Sequence, residues 1–448
     1  MELFGTDGIR GVANEFLTPK LAYKVGKALA IMGFNRVASD KKIDILVAGD
    51  TRTSTDIIKY ALVSGVLAHG ANVVDAGVIP TPAVSVIVAE EEFLFGVMIT
   101  ASHNPPEYNG IKIFDKDGNK LSDADIKQLE FLIKNQSDYG LQTYNKVGKY
   151  VADDKIREIY INRVVQDINL DFSNLKIAID CANGATFSVA EQIFRKLNAK
   201  VEAFNNQPNG EKINDGCGAL NPEFLIKTVT EGSFDLGVAF DGDGDRVCCV
   251  LKDGSVLDGD KLMFLTAKLM KEGGMLYGDS VVATILTNFG VEHSLKRCGI
   301  SVLRVNVGDK NVSRCLKKEH LALGGEKAGH IIVSGFSKTG DGIYSSLFLL
   351  KLIRTLNKNI YEELQDLSIY PSSEIDVAVK KDKKLAILQN EKVLDATTCA
   401  QTMLGEDGRV VVRASGTENK IRVLVEGKDE ITTRDIAKFI EKTIISVR

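Results

Sequence analysis

Short apolar runs alternate along most of the chain with longer stretches in which apolar positions recur at helical spacing. Ile43 to Ala48 is one such run, closed by Gly49-Asp50-Thr51-Arg52 and followed by helix-like periodicity from Asp56 through Leu67. The pattern returns at Leu175 to Ile179, closed by Asp180-Cys181-Ala182-Asn183-Gly184 ahead of a helical stretch from Ser188 to Leu197. It returns again at Val281 to Leu286, closed by Thr287-Asn288-Phe289-Gly290. Apolar strands ended by Gly, Asp or Asn and followed by amphipathic helices predict parallel α/β sheets. Such sheets carry their chemistry on loops beyond the strand C-termini.

Each unit holds a second apolar strand that runs into a polar loop. Phe95 to Thr100 opens into Ala101-Ser102-His103-Asn104-Pro105-Pro106, and Leu236 to Phe240 into Asp241-Gly242-Asp243-Gly244-Asp245-Arg246. Leu321 to Leu323 opens into Gly324-Gly325-Glu326-Lys327-Ala328-Gly329-His330. The tail differs: Arg409 to Arg413 and Ile421 to Glu426 read as two strands, and Thr432 to Ile445 as a closing helix. The expected architecture is α/β: three similar α/β domains with mixed or parallel sheets and a smaller C-terminal α+β domain, around a central cleft. The expected domains are residues 1–150, 151–252, 253–366 and 367–448.

Composition narrows the function classes. The chain has 448 residues, more than one core supports, with 56 Lys plus Arg against 60 Asp plus Glu. No basic block gives an electrostatic case for nucleic acid. No apolar run reaches the roughly 18 residues that span a bilayer, and the N-terminus lacks a signal-peptide layout. Seven cysteines without CxxC spacing argue for reduced thiols and against a zinc site. A cytoplasmic location is expected.

The loop Asp241-Gly242-Asp243-Gly244-Asp245-Arg246 places three carboxylates at alternate positions, able to turn their oxygens on one hard cation such as Mg²⁺. An EF-hand loop opens the same way, but it needs Gly and Glu where this chain has Arg246 and Lys252. An acidic surface turn is the plainer alternative, disfavoured by mutual repulsion. Ser102, at a strand end in a loop with two prolines, is placed as an exposed nucleophile, although a lone serine can equally cap a helix. Lys112 brings a cation near the same loop, where a lone lysine is ordinarily a solvated charge. Gly5-Thr6-Asp7-Gly8-Ile9-Arg10-Gly11 suits close backbone approach, with Arg10 directed at an anion. Glu326, Ala328 and His330 share a Gly-flanked loop, in which a structural histidine is the plainer reading. Arg413, Ser415, Gly416 and Thr417, with Arg422, form a candidate anion nest. Neither a P-loop nor a dinucleotide fingerprint occurs.

In this order the loops resemble those of the α-D-phosphohexomutase family. TASHNPP with YNGIK is similar to its phosphoserine loop, DGDGDR to its metal loop, GEKAGH to its sugar loop and RASGTENKIRV to its phosphate loop. The resemblance covers essentially the whole chain. FGTDGIRG and IRVLVEG place it nearest the amino-sugar branch. Three positions depart from that branch's pattern: Lys327 and Ala328, which remove a hydroxyl from the sugar loop, and Asn419, which replaces a proline.

The resemblance implies a mutase that converts glucosamine 6-phosphate to glucosamine 1-phosphate for amino-sugar nucleotide and cell-wall precursor synthesis. Ser102 would rest as a phosphoserine, and a hexosamine 1,6-bisphosphate would be the intermediate. One Mg²⁺ per subunit would be held by Asp241, Asp243, Asp245 and the Ser102 phosphate. Lys112, Arg10 and His103 would handle the hydroxyl proton and developing charge, and Arg246 the transferring group. Glu326, Ala328 and His330 would line the sugar, and Arg413, Ser415, Gly416, Thr417 and Arg422 the second phosphate. A phosphomannomutase or phosphoglucomutase shares these loops, and a non-catalytic phosphosugar-binding relative is the alternative from another class. A phosphosugar is the expected partner, without nucleic acid or membrane; a homodimer and a kinase for the first phosphorylation of Ser102 complete the expectations.

Overall fold

The run predicted at residues 43–48 forms a strand at Asp44–Gly49 in a computed structural model that describes residues 3–5, 7–37, 42–134, 140–415 and 418–448. The first sheet comprises β1 (Ile9–Val12), β2 (Asp44–Gly49), β3 (Asn72–Val78), β4 (Phe95–Ile99), β5 (Tyr108–Asp115) and β6 (Tyr150–Ala152), ordered β1-β5-β4-β2-β3-β6. The second comprises β7 (Lys176–Asp180), β8 (Lys200–Phe204), β9 (Leu236–Phe240), β10 (Val247–Leu251) and β11 (Val256–Leu257), ordered β11-β10-β9-β7-β8. The third holds β12 (Ser280–Thr284), β13 (Ser301–Val305), β14 (Leu323–Gly325) and β15 (Ile331–Val333), ordered β13-β12-β14-β15. The fourth, β16 (Ser372–Ala378), β17 (Gly408–Ala414) and β18 (Lys420–Gly427), is ordered β16-β18-β17 and wholly antiparallel.

One strand order recurs in the first three sheets: β5-β4-β2-β3, β10-β9-β7-β8 and β15-β14-β12-β13. In each, a parallel pair is followed by an antiparallel return strand: β4 on β2 then β5, β9 on β7 then β10, β14 on β12 then β15. The sheets are therefore mixed, and the turn into each return strand is a chemistry-bearing loop: 100–107, 241–246 and 326–330. Both β4 and β9 are buried throughout, which is why they read as unbroken apolar runs rather than alternating ones.

The third repeat differs from expectation. Its strand lies at Leu323–Gly325, not Leu321 to Leu323. A Cβ on Gly324 would come within 2.9 Å of the Val282 carbonyl oxygen, so glycines that resemble a loop are the close-packed strand itself. Likewise the stretch 188–197 divides into a short turn, Ala185–Ser188, and a helix, Ala190–Lys196.

The chain divides into two compact units, one running to Thr284 and including Leu303–Lys358, the other formed by Ile285–Val302 and Asn359–Arg448. In the first, helices Pro19–Phe34 and Thr55–Ala68 meet backbone to backbone at Gly26 and Gly65. A Cβ at Gly26 would lie 2.0 Å from the Leu62 oxygen and one at Gly65 2.2 Å from the Tyr23 oxygen, so only glycine allows this approach. The contact anchors the helix that begins just after Arg52. In the second unit Val377, Ile421, Val423 and Val425 pack under Ile436, Ile440 and Ile444 of helix Glu430–Ser446. Among the described residues, no helix is long and apolar enough to cross a membrane.

Candidate active site

Ser102 sits in the turn between β4 and β5 with φ at +55°, a conformation that costs a non-glycine residue energy and persists only when neighbours enforce it. Its amide donates to Thr100 Oγ1 at 2.8 Å, and its hydroxyl donates to Asp241 Oδ2 at 2.8 Å. No helix follows it, so the helix-cap reading fails. The expectation of an exposed serine is also corrected: Ser102 is 1% exposed, because its carbonyl side faces Arg52 and Asn214 and its hydroxyl faces Asp241.

Asp241, Asp243 and Asp245 converge as the alternating spacing predicts, with one oxygen of each inside a 4.8 Å group, and all three are buried. Lys112 is not a solvated charge. It is buried, and its Nζ lies 2.7 Å from both Asp243 Oδ2 and Asp245 Oδ2 and 3.1 Å from Asp7 Oδ2. Burial alone would lower the lysine pKa, but these carboxylates outweigh it and hold the ammonium charged well above its usual range. Burial opposes ionisation of Asp245 too, yet Lys112 and His330 keep it well below the usual range. At Asp241 the Arg246 charge offsets burial only in part: burial, with Asp245 and Asp243 beside it, pushes its carboxyl up to about 8.

This donor set fits a divalent cation. Oδ1 of Asp243 and Oδ1 of Asp245 are buried and make no hydrogen bond with the described residues, a costly state for carboxylate oxygens. Three oxygen donors with a surplus of negative charge are what a hard cation requires. Thr81 supports the loop from outside: its amide donates to the Asp243 carbonyl at 2.8 Å and its hydroxyl to Asp243 Oδ2.

The other predicted residues of the first unit surround this centre. Arg10 donates to Asn104 Oδ1 at 3.0 Å and pairs with Asp7 at 2.6 Å. His103 is neutral at neutral pH, since burial and then the Arg246 and Arg10 charges push its imidazole down to about 3. Arg246 lies 3.9 Å from Asp245 Oδ1, and its amide donates to Asp241 Oδ1 at 3.2 Å. His330 Nδ1 is 3.6 Å from Asp245 Oδ1, while its Nε2 accepts the Gly340 amide at 2.8 Å. The ring is thus hydrogen-bonded, as the structural reading expects, and also borders the metal loop. Glu326 accepts the Gly308 amide at 3.1 Å, and Ala328 beside it is half-buried. A cavity of about 770 Å³ bordered by Met270, Leu316 and Phe348 contains none of these residues.

In the second unit Arg413 and Arg422 face each other across β17 and β18. Like charges at directly opposed positions repel, and Arg422 lowers the pKa of the partly buried Arg413, after burial itself. Arg422 donates to Glu418 at 2.6 Å, and Ser415 Oγ accepts the Glu418 amide at 3.1 Å. Gly416 and Thr417 lie outside the described residues.

Family models for the four successive domains of phosphoglucomutase/phosphomannomutase match residues 1–140, 158–254, 258–370 and 374–443. A phosphoglucosamine mutase of Oceanobacillus iheyensis is 41% identical over 448 residues, covering 100% of this chain and 98% of its own. The chain belongs to the phosphoglucomutase/phosphomannomutase family. The fold agrees with that of a family member from Burkholderia thailandensis, with a TM-score of 0.81 at 23% identity over 99% of this chain and 97% of that one. It also agrees with an Aspergillus fumigatus N-acetylphosphoglucosamine mutase solved with GlcNAc-6P and magnesium, with a TM-score of 0.67 at 16% identity over 99% and 95%.

Several residues at this phosphohexomutase site escape sequence reasoning. Lys120 bridges Asp7 and Asp309, and Asp309 Oδ2 lies 3.7 Å from His330 Nε2. Asp7 falls inside the glycine-rich start, so a signal existed for it. Lys120 and Asp309 carry none, because each is an ordinary charged residue until the fold joins them. Arg52 closes the first strand and reads as a turn residue.

Proposed function

We propose that the chain is a phosphoglucosamine mutase that interconverts glucosamine 6-phosphate and glucosamine 1-phosphate through a phosphoserine at Ser102. The observation that carries this reading is the Ser102 hydroxyl, held in a left-handed turn 2.8 Å from one carboxylate of a buried, charge-unbalanced cluster. The phosphoryl group leaves Ser102 Oγ as a bond forms to the free sugar hydroxyl, giving the 1,6-bisphosphate. That intermediate turns over, and its other phosphate returns to Ser102.

Asp241, Asp243 and Asp245 would hold the Mg²⁺ of this reaction, one per chain. When bound, the ion supplies fixed positive charge against the phosphoryl group in transfer. Lys112, Arg10 and His103 border the serine loop: the neutral His103 is assigned to the hydroxyl proton, and the charged Lys112 and Arg10 to the developing charge. Arg246 steadies the transferring group, and Glu326 and His330 grip sugar hydroxyls. Arg413, Ser415 and Arg422 take the phosphate that is not reacting, since an anion relieves the repulsion of two opposed guanidiniums.

The amino-sugar substrate follows the resemblance of the whole chain to phosphoglucosamine mutases. Ala328 offers no side-chain donor or acceptor, so discrimination for the 2-amino group is modest and some glucose phosphate is accepted. Assaying glucosamine, glucose and mannose phosphates side by side tests this. Turnover of glucosamine 6-phosphate is expected to be fastest, and turnover of the hexose phosphates alone would overturn the assignment.

A further inference from the structure

We infer that Arg52 and Asp50, with Asn214 opposite, form a template that sets the backbone of Ser102, making Arg52 a positioning residue for phosphoryl transfer. The inference rests on the phosphoserine reading above.

Arg52 is buried with no exposed side-chain surface, and every N–H of its guanidinium is used. Nε donates to Asp50 Oδ2 at 3.0 Å. Nη1 donates to the carbonyls of Pro105 and Tyr108, the latter at 3.0 Å, and Nη2 to those of Ser102 at 2.9 Å and Asn104 at 2.7 Å. One planar fork thus gathers the carbonyls of four residues between 102 and 108, the whole turn from the nucleophile to the first residue of β5.

Asp50 completes the clamp from the other end. Its Oδ2 accepts the Thr100 hydroxyl at 2.7 Å, and Thr100 Oγ1 in turn accepts the Ser102 amide at 2.8 Å. The N–H of Ser102 is therefore tied through Thr100 to Asp50, and its C=O is tied to Arg52, which Asp50 itself orients. Asn214 donates to the same Ser102 carbonyl at 2.9 Å and to that of Asn104 at 3.3 Å. The strained φ of +55° lies between these two anchors. A left-handed serine costs energy unless its surroundings over-determine it, and these are the surroundings that do so.

The consequence is aim rather than affinity. None of these groups is placed to touch the sugar; they act through Ser102, and an error of about 1 Å in a reacting atom can cost roughly 10²-fold in rate. Lysine at position 52 keeps a charge but cannot reproduce a planar fork.

The test compares the parent enzyme with Arg52→Lys and Asn214→Ala, measuring kcat and KM for glucosamine 6-phosphate alongside thermal melting. Arg52→Lys is expected to lower kcat by about 10²-fold or more with KM within about threefold, since only placement of the nucleophile is lost. Asn214→Ala removes one donor at a half-buried position whose φ of +61° suits asparagine better than alanine, and is expected to melt a few degrees below the parent while losing about tenfold in kcat. A folded Arg52→Lys enzyme at parental kcat, or losses that appear in KM, would overturn the inference. If Arg52→Lys fails to fold, Asn214→Ala decides alone, and an unchanged kcat there overturns the template. Absence of mutase activity in the parent enzyme would count against the proposed function instead.

Discussion

The Ser102 loop and the loop after β17 are both tied down by a buried cation that binds backbone carbonyls, but to different degrees. Arg52 holds four carbonyls and is itself fixed by Asp50. Lys384 holds two, donating to the Ser415 carbonyl at 2.7 Å and the Glu418 carbonyl at 2.8 Å. A planar guanidinium fixes the direction of every bond it makes, whereas an ammonium on a four-carbon stem fixes little beyond distance. The difference suits the two tasks. A nucleophile must be placed to a fraction of an ångström, whereas a phosphate grip tolerates movement while its oxygens stay near the guanidiniums. Damage to the first loop should therefore appear in kcat, and damage to the second in KM.

The largest effect belongs to Ser102→Ala, which should reduce turnover by at least about 10⁴-fold, the scale of removing a nucleophile. Among the described residues the hydroxyl's hydrogen bond is to Asp241 alone, so circular dichroism should be unchanged; near-normal activity would remove the distinction between the loops altogether. Asp243→Asn comes next, with a loss of roughly 10²-fold and weaker Mg²⁺ binding by titration calorimetry, as one anionic donor leaves a hard-cation site. Activity indifferent to EDTA would contradict the three-carboxylate reading.

Arg422→Ala should raise KM by about 10- to 100-fold, the value of one charge-assisted hydrogen bond, with kcat much less affected. It should also increase the 1,6-bisphosphate released per turnover, counted by phosphorus NMR. Lys384→Met leaves two carbonyls without their donor and should raise KM by about tenfold; a fall in kcat instead would erase the contrast with Arg52.

The smallest effect on catalysis is expected at Asp341, whose carboxylate accepts from the Tyr160 hydroxyl and the Tyr344 amide, and where burial pushes the carboxyl up to about 7. Its carboxyl is raised above the ordinary aspartate value, so its stabilising contribution is complete below about pH 4 and is lost as pH rises through about 7. Asp341→Asn should therefore raise the melting temperature more at pH 8 than at pH 5, with kcat and KM near those of the parent.

Much of this site was legible in the sequence, and particular residues show where legibility stops. The strand Leu236 to Phe240 was readable to the residue, because a fully buried strand is a continuous apolar run that ends where Asp241 begins. The three carboxylates were readable because alternate spacing alone brings them together. Return strands such as β5 and β10 were not, since their pairing depends on a turn whose shape is set by distant residues. The burial of Ser102 and Lys112 was equally hidden. It arises from Asp241, Asp243 and Asp245, which lie more than 120 positions away and become neighbours only when the first two sheets fold. Arg52 was visible as part of a strand-ending turn, but its task lies in carbonyls some 50 residues on. Arg413 and Arg422 were each visible; that they face one another is a matter of register, which the hairpin decides.

The central claim is that a phosphoryl group passes between Ser102 and the sugar. Mass spectrometry of the peptide containing Ser102 tests it directly, on protein first charged with 1,6-bisphosphate and then mixed with excess glucosamine 6-phosphate bearing ¹⁸O-labelled phosphate. The account predicts phosphate on Ser102 that exchanges for labelled phosphate at the rate of turnover. Steady conversion of the substrate while Ser102 stays unphosphorylated, or keeps its original phosphate, would contradict it.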